Sequence, residues 1–478
     1  MQQLTFGIIG GLGALAGADL FLKLVKSRAV MADQGRYHFL FEQHPFRDVA
    51  TPLTRDASMT SRKLYVFKTC QSFESRKVDA VLMPCFASHT FREELQAELS
   101  VRLVNMLDAL APTLNDAVPR GGKIGVLASD FVRQSRLFDD AFGREFEIVY
   151  PSDATQASLM DAIYGPGGIR SGNTEGLALE RICQACQELL ELGAELIVPG
   201  MTELSLVAAA VQRRGIAFVD VNQAYADYAT ALADGQVNLA FKLGIVGGVG
   251  PAATVDFMGK VVKNTTAAKD QDHIKMVVEQ NPQIPDRTAN LLYQEADPTV
   301  ALFATCKRLE SEGANAIAIP CNTAHAYVER IQPHLSIPIV NMLTETVRHI
   351  VDKYGKGAKV GLLATSGTVE SRVYHEAAAG HLELITPAPE FQQMLMEAIY
   401  GAEGVKAGYT QGHCAELLRA AIAHLQGKGA SVQILGCTEL PLIFAQTDQF
   451  EVGSAQTVSL VDPTDVLAKR CVQLARSA

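Results

Sequence analysis

The chain carries the same glycine-rich stretch twice, as FGIIGGLG at positions 6–13 and as LGIVGGVG at positions 243–250. In each copy an apolar run leads into closely spaced glycines, a pattern typical of a buried strand that ends in a tight turn. A repeat of this kind indicates that a whole structural unit has been duplicated.

Further matching segments extend the repeat along the chain. They are MPC at 83–85 and IPC at 319–321, VNML at 104–107 and 340–343, KIGVLA at 123–128 and KVGLLA at 359–364, AIYG at 162–165 and 398–401, and GMTEL at 200–204 and GCTEL at 436–440. From Cys85 onward the partners are a constant 236 residues apart. This offset predicts a tandem duplication into domains 1–236 and 237–478, joined near Ala233 to Gln236.

Short apolar runs alternate with amphipathic segments of helix length in both copies. In the second copy the predicted strands are 243–247, 275–279, 316–319, 337–341, 359–363 and 432–435. Their β-branched, wholly apolar character favours buried parallel strands. Because Lys123 and Lys359 each open a new strand-helix series, we predict an α/β fold in which each domain has two parallel-sheet lobes. In such sheets the ligand lies beyond the carboxyl ends of the strands, which here means the cleft between the lobes.

Composition limits the classes of function. The net charge of −10 argues against nucleic acid or an anionic membrane as partner. The N-terminus shows no signal peptide or transmembrane pattern, and nine scattered cysteines are typical of reduced thiols, so a cytoplasmic location is expected. Cys183 and Cys186 have CxxC spacing but lie in an amphipathic pattern, which predicts an ordinary helix without redox or metal function.

Cys321 and Cys437 each follow a predicted strand and precede a predicted helix. Racemising an amino acid without an electron sink requires a base on one face of Cα and an acid on the other. Thiols suit this task, because a cysteine near a helix N-terminus can ionise while its partner stays protonated. The two turns would place one thiol on each side of the cleft.

The second copy resembles the aspartate/glutamate racemase family, and within it the aspartate racemase branch. The matching motifs are GIVGGVGPAAT at 244–254, NPQIPDR at 281–287, PCNTAH at 320–325, VKAG at 405–408 and GCTEL at 436–440. The resemblance implies a cofactor-independent racemase, without pyridoxal phosphate or metal, that interconverts L- and D-aspartate or glutamate. It also implies that Cys321 and Cys437 are the two proton-transfer groups.

The resemblance implies roles for further residues of the second copy. Arg287 and Lys406 resemble the cations that receive the side-chain carboxylate of an acidic substrate, and a guanidinium fork matches a carboxylate well. The other substrate-binding residues implied are Asn322, Thr323, Thr438, Asn281 and Gly250. His325 either supports these groups by contacting them or is a structural helix histidine whose hydrogen bonds are made within the fold. The second interpretation is favoured.

The first copy lacks parts of this site. Cys321 corresponds to Cys85, but Cys437 corresponds to Met201, whose thioether transfers no proton. Phe86 and Ala87 replace Asn322 and Thr323, Arg170 replaces Lys406, and Arg287 has no clean counterpart, although Arg47 lies nearby in the sequence. We therefore expect a degenerate, mainly structural domain that supplies a partner surface within the chain. This intramolecular pseudo-dimer leaves a further homodimer open.

Other functions are compatible with the same sequence features. Same-fold relatives include maleate isomerase, hydantoin racemase and arylmalonate decarboxylase, but the two cations disfavour hydantoin and the second thiol disfavours decarboxylation. A non-catalytic protein that binds an acidic amino acid is the alternative from another class. The GxGxxA pattern at 248–253 also fits a dinucleotide fingerprint, but no acidic residue is clearly placed to follow it, so a nucleotide is not expected.

Overall fold

Strands and helices alternate through two separate units in the computed structural model, which describes residues 3–44, 46, 51–54, 57–232, 240–453 and 456–477. The units are Met1–Leu239 and Ala240–Ala478. The predicted joint at Ala233 to Gln236 lies outside the described residues. Within the described ranges, no helix combines the length and apolar character needed to cross a bilayer.

The second unit has two sheets, one in each lobe. In spatial order, the first sheet consists of Ile339–Val340, Ala316–Ala318, Lys242–Gly247 and Lys275–Gln280, all parallel. The second consists of Glu383–Ile385, Lys359–Leu363, Val432–Leu435, Thr457–Val461 and Thr447–Glu451. The prediction of parallel lobes needs one correction, because the edge strand Thr447–Glu451 pairs antiparallel with Thr457–Val461. A short connection joins these two strands, and only antiparallel neighbours can be joined in this way.

Helices cover the faces of these sheets. The α-helices of the second unit are Pro251–Asn264, Arg287–Tyr293, Thr299–Ser311, Val328–Ile331, Met342–Tyr354, Ser366–Glu370, Val373–Ala378, Pro389–Tyr400, His413–Gly427 and Pro463–Ser477. Its 3₁₀ helices are Asp270–Asp272, Thr323–Tyr327, Gln332–His334, Val405–Ala407 and Leu440–Leu442. Their apolar faces close the core on both sides of each sheet, so the cleft residues stand on packed elements.

The first unit repeats this plan. One parallel sheet has the order Tyr37–Glu42, Leu4–Ile9, Ala80–Leu82 and Arg102–Leu103, and the other Glu147–Val149, Lys123–Ala128 and Leu196–Gly200. Its α-helices are Ala14–Lys26, Arg28–Ala32, Thr60–Ser75, Phe86–His89, Arg92–Gln96, Met106–Ala117, Asp130–Gln134, Leu137–Phe142, Asp153–Tyr164, Gly176–Glu191, Ala208–Gln212 and Val221–Ala231. Its 3₁₀ helices are Gln34–Arg36, Ile169–Ser171 and Thr202–Val207. Cys183 and Cys186 lie within Gly176–Glu191, as predicted, and both are free thiols.

Matching residues start matching helices in the two copies. Asn105 accepts a hydrogen bond from the Leu107 amide, and Asn341 accepts bonds from the Leu343 and Thr344 amides. An asparagine at this position satisfies amides that the helix itself leaves unpaired. The repeated VNML segment is therefore a strand end followed by a helix cap, and it fixes the direction of the helix in both copies.

Candidate active site

One cavity in the second unit collects most of the residues that the sequence singled out. It lies between the two lobes of this unit. Its lining includes Cys321, Cys437, Arg287, Lys406, Asn322, Thr323 and Thr438, together with Val249, Thr288, Thr365, Tyr400, Gly436 and Glu439. Cys321 follows the strand Ala316–Ala318 of one lobe, and Cys437 follows Val432–Leu435 of the other. The two thiols thus reach one cavity from separate sheets.

Cys437 belongs to a buried chain of charged and polar groups. Its Sγ donates to Oε2 of Glu439 at 3.1 Å, and the Nζ of Lys406 contacts Oε1 of the same carboxylate at 2.6 Å. Burial raises the pKa of Cys437 well above its ordinary value, the Glu439 charge raises it further, and Lys406 acts in the opposite direction. This thiol is therefore held in its protonated form.

Cys321 has the opposite kind of neighbour. Burial by itself would lower the pKa of Arg287, but the charges of Cys321 and Asp286 raise it above its ordinary value, so the guanidinium stays charged beside this sulfur. Arg287 thus places a positive charge next to Cys321. The cavity accordingly offers one thiol beside a cation and one beside a carboxylate.

Two buried donors at the cavity lack partners among the described residues. The Nε of Arg287 makes no hydrogen bond, although its Nη1 donates to the carbonyl oxygens of Ile284 at 3.3 Å and Pro285 at 3.0 Å. The Nδ2 of Asn322 is also unpaired, while its Oδ1 accepts from the Tyr374 hydroxyl at 2.7 Å. An unpaired buried donor costs free energy, so such donors at a cavity indicate a ligand with acceptor oxygens.

Threonine hydroxyls join the two lobes at the cavity wall. Thr323 Oγ1 lies 2.7 Å from Thr368 Oγ1 and 3.3 Å from Thr365 Oγ1, and Thr288 Oγ1 donates to Thr365 Oγ1 at 3.3 Å. Thr323 and Thr288 belong to the first lobe, whereas Thr365 and Thr368 belong to the second. This network connects the two walls of the cavity by hydrogen bonds.

Asn281 and Gly250 are not among the residues that line the cavity. Asn281 Nδ2 donates to Thr305 Oγ1 at 3.2 Å, and its Oδ1 accepts from the Gln283 amide, so this side chain shapes the loop before Arg287. Gly250 has a φ of +119°, and a Cβ there would come within 2.6 Å of Oε1 of Glu439. Its lack of a side chain thus makes room for the carboxylate that contacts Cys437.

Only short helical segments begin after the two thiols. Thr323–Tyr327 and Leu440–Leu442 are short 3₁₀ helices, and Pro441 lies inside the second of them. A few residues of 3₁₀ helix leave no room for the aligned peptide dipoles that the prediction invoked. Side-chain charges from Arg287, Lys406 and Glu439 distinguish the two thiols instead.

His325 is a satisfied structural histidine, in agreement with the favoured reading. Its Nε2 accepts from the Met342 amide at 3.1 Å, so its Nδ1 carries the proton and donates to the Cys321 carbonyl oxygen at 2.9 Å. His89 makes the same pair of contacts, with Met106 and Cys85, in the first unit. Burial lowers the pKa of both histidines to about 4. Each one anchors the backbone of the cysteine four residues before it.

These histidines predict a loss of stability in acid. Because the folded pKa of His325 lies below the ordinary value of 6.5, the unfolded chain binds the proton more tightly, and stability is lost as the pH falls from about 6.5 towards 4. A shift of this size corresponds to roughly 3 kcal/mol at full protonation. We expect His325→Gln to lower Tm at pH 7 but to reduce the further drop at pH 5, measured by thermal unfolding. His273→Gln, at an exposed position, is the control, and an unchanged acid drop in His325→Gln would contradict the prediction.

The first unit has a cavity at the matching place. Cys85, Ser129, Tyr164, Arg170, Thr202 and Glu203 occupy the positions of Cys321, Thr365, Tyr400, Lys406, Thr438 and Glu439. Arg170 and Glu203 form an ion pair at 3.0 Å, like Lys406 and Glu439. Met201 is buried in the wall, where the second unit has Cys437. Arg47 lies outside the described residues, and the arginine that contacts Cys85 is Arg62, on the helix Thr60–Ser75.

Some cavity residues had no role in the sequence-based prediction. Glu439 belongs to the GCTEL motif and recurs as Glu203 in the first copy, and Tyr400 recurs as Tyr164. Their repetition could have identified both residues as part of the site. Thr288 and Thr365 carried no comparable signal. Arg62 also carried no such signal, because it lies on the helix Thr60–Ser75, whereas Arg287 begins the helix Arg287–Tyr293. Among the described residues, no group of three or more His, Cys, Asp or Glu side chains is arranged to hold a metal ion.

The fold and the site define a two-lobed α/β protein of the racemase class, present twice in one chain. The chain belongs to the Asp/Glu/Hydantoin racemase family, whose model matches residues 9–229 and again 246–471. The resemblance inferred from the motifs and the duplication are thereby confirmed, and the protein is an isomerase of the racemase kind.

Three similar proteins each match about half of this chain or less. The broad specificity amino-acid racemase RacX of Bacillus subtilis is 26% identical over 236 residues, which are 48% of this chain and 96% of the relative. A glutamate racemase of Corynebacterium diphtheriae is 28% identical over 171 residues, 35% of this chain and 60% of the relative. Among solved structures, the Picrophilus torridus aspartate racemase is 28% identical with a TM-score of 0.42, covering 49% of this chain and 94% of its own.

Proposed function

We propose that the domain 237–478 interconverts the L and D forms of an acidic amino acid, aspartate or glutamate, without pyridoxal phosphate. Cys321 and Cys437 are the two proton-transfer groups in this proposal. The observation that carries it is the pair of thiols in one cavity, one beside the Arg287 cation and one donating to the Glu439 carboxylate. One thiol is thereby favoured as the base and the other as the acid.

The substrate class follows from the charges at the cavity. Lys406 is already paired with Glu439, which leaves Arg287, with its unpaired Nε, as the cation available to a carboxylate. We assign Arg287 to the side-chain carboxylate, and Asn322, through its unpaired Nδ2, to the α-carboxylate. Thr323 and Thr438 complete the polar wall. Lys406 then affects the substrate in two ways. Its own positive charge attracts the substrate, and its contact with Glu439 affects the protonation of Cys437.

A hydrogen-exchange assay tests the proposal directly. In heavy water, L-aspartate and D-aspartate should each incorporate deuterium at Cα, and each should yield the other enantiomer on a chiral column. Because one methylene separates aspartate from glutamate, both belong in the panel, along with neutral amino acids. Absence of exchange with every amino acid would favour the alternative of a non-catalytic binding protein.

The name of RacX in Bacillus subtilis makes a wider substrate range the second candidate. A broad enzyme would racemise neutral amino acids at rates close to that of aspartate. The buried charge of Arg287 argues against this, because a neutral side chain would leave the guanidinium without a counter-charge in the closed cavity. The amino-acid panel separates the two candidates in one experiment.

We further propose that the domain 1–236 does not racemise. Met201 offers no proton at the position of Cys437, so a second proton donor is missing from that cavity. The role assigned to this domain is structural.

Opposite shifts of the pH profile are expected from Glu439 and Lys406. In both directions the active form of the enzyme has one thiol protonated and the other ionised. At high pH this pair loses its remaining proton, which Cys437 holds, and kcat/KM falls. The alkaline limb of the kcat/KM profile therefore reports this loss. Glu439→Gln removes a charge that raises the pKa of Cys437, and the limb should move to lower pH. Lys406→Met removes a charge that lowers it, and the limb should move to higher pH. Shifts in the same direction for both variants would show that these residues do not act through Cys437.

A further inference from the structure

The first unit keeps a cavity although it lacks the second thiol. At the positions where the second unit has the hydrogen-bonded pair Asn322 and Tyr374, the first has Phe86 and Phe138, whose ring centroids lie 5.1 Å apart. Phe86 thus packs onto Phe138, and the cavity stays open beside it. A site that had merely decayed would fill with side chains, because protein interiors are close-packed.

Arg62 supplies the first unit with a cation that the duplication does not explain. It is 4% exposed, and its Nη1 donates to Cys85 Sγ at 3.3 Å. Its Nε is buried without a hydrogen-bond partner among the described residues, and the side chain lines the cavity. The arrangement matches that of Arg287 beside Cys321, but it is reached from a different helix. A buried guanidinium with an unpaired donor requires an anion to offset its desolvation.

Several positions of the first unit carry apolar residues where the second unit has polar ones. Phe86, Ala87 and Val132 replace Asn322, Thr323 and Thr368, and Met201 replaces Cys437. Leu12 and Leu53 close the remaining side. The cavity therefore lacks counterparts of Asn322 and Thr323, although it keeps the hydroxyls of Ser129 and Thr202, and the changed positions offer contacts to an apolar body.

We propose that the first unit binds a small monocarboxylate with an apolar body, its carboxylate on Arg62 beside Cys85 and its apolar part against Met201 and Phe86. Neither an ammonium group nor a second carboxylate has a free partner in this wall, since Arg170 and Glu203 form an ion pair with each other. The ligand class thus differs from that of the second unit, and the proposal does not depend on racemase activity.

Thiol alkylation of the full-length protein tests this site separately from the other cavity. Iodoacetamide modification is followed peptide by peptide, with 3-methylbutanoate as the probe and 3-methylbutanamide as its neutral analogue. The acid should slow modification of Cys85, which is half-buried, and should leave Cys183, a half-buried thiol elsewhere in the unit, unaffected. The amide should protect neither thiol.

Variants of Arg62 assign the effect to the guanidinium. Because a hydrogen bond to a charged group is worth about 1.5–3 kcal/mol, Arg62→Met should weaken protection about 10-fold or more. Arg62→Lys keeps the charge but loses the fork, and an intermediate result is expected. Arg213→Met, at an exposed position, is the matched control. Thermal unfolding of each variant shows whether the fold is intact, and Arg62→Lys serves if Arg62→Met does not fold.

Three results would overturn the proposal. One is equal protection by the acid and the amide, since this would show that the carboxylate is not recognised. Another is undiminished protection in a folded Arg62 variant. The third is equal or stronger protection of Cys85 by aspartate, which would assign an acidic amino acid to this cavity as well.

Discussion

Replacing Cys321 or Cys437 by alanine should lower kcat/KM for racemisation about 1,000-fold or more, while Cys85→Ala should leave it nearly unchanged. A positioned acid or base contributes about 10²–10⁴-fold, and a racemase needs both groups in the same turnover. Loss of either thiol therefore removes most of the activity. Chiral chromatography of L- and D-aspartate with the three variants is the measurement.

Isotope exchange shows whether the two thiols serve opposite faces. The cysteine that remains in Cys321→Ala can still remove the Cα proton from one enantiomer and return a deuteron from solvent to the same face. Cys437→Ala should retain such exchange for the other enantiomer, and the double variant should lose both. Retention of the same enantiomer by both single variants would contradict the two-face arrangement, and equal losses from all three alanine variants would contradict the separate roles of the two units.

The fold was predictable because its determinants are local and repeated. A strand such as Lys242–Gly247 is a continuous apolar run followed by glycines, and the same signal occurs at Leu4–Ile9. Edge strands carry weaker signals. Thr447–Glu451 is partly exposed and contains Asp448 and Gln449, so no apolar run indicates it. Its antiparallel pairing depends on the neighbouring strand, which a local pattern does not report.

The two thiols of the candidate site were predictable from their residue type and their positions after strands. Two cysteines following two strands pointed to one cleft, and the structure brings both to its wall. The groups that distinguish their protonation were harder to identify. Lys406 was assigned to the substrate, yet its nearest anion is Glu439, because the turn carrying Lys406 contacts the loop that follows Cys437. Such pairings depend on tertiary approach, which the order of residues does not contain.

Arg62 and Phe86 show the limit of comparing two copies by their offset. Phe86 in place of Asn322 indicated that part of the site is lost, but Tyr374 changes to Phe138 at the same time, and the two rings pack against each other. Arg287 has no counterpart at its offset position, but Arg62 contacts Cys85 from another helix. A lost residue in a repeat is therefore weak grounds for a lost cavity, because a partner can be replaced from elsewhere in the fold.

Arg287→Gln should separate recognition of the substrate from the chemistry of the thiols. Glutamine is neutral and cannot offer the guanidinium fork to a carboxylate. If Arg287 binds the side-chain carboxylate, kcat/KM for aspartate should fall about 100-fold, in line with the loss of charged hydrogen bonds. Asparagine has nearly the same shape but no charge, so any activity with asparagine should change much less. The ratio of the two kcat/KM values is the quantity to measure.

Two further variants test the role of the Arg287 charge. Arg287→Lys restores the charge without the second donor and should recover part of the activity with aspartate. Arg348→Gln, whose side chain is 54% exposed and pairs with Glu345, is the surface control. Equal losses with aspartate and asparagine in Arg287→Gln would mean that the cation acts on Cys321 alone. In that case the acidic substrate would need another partner, and Lys406 is the remaining cation in the cavity wall described by the structure.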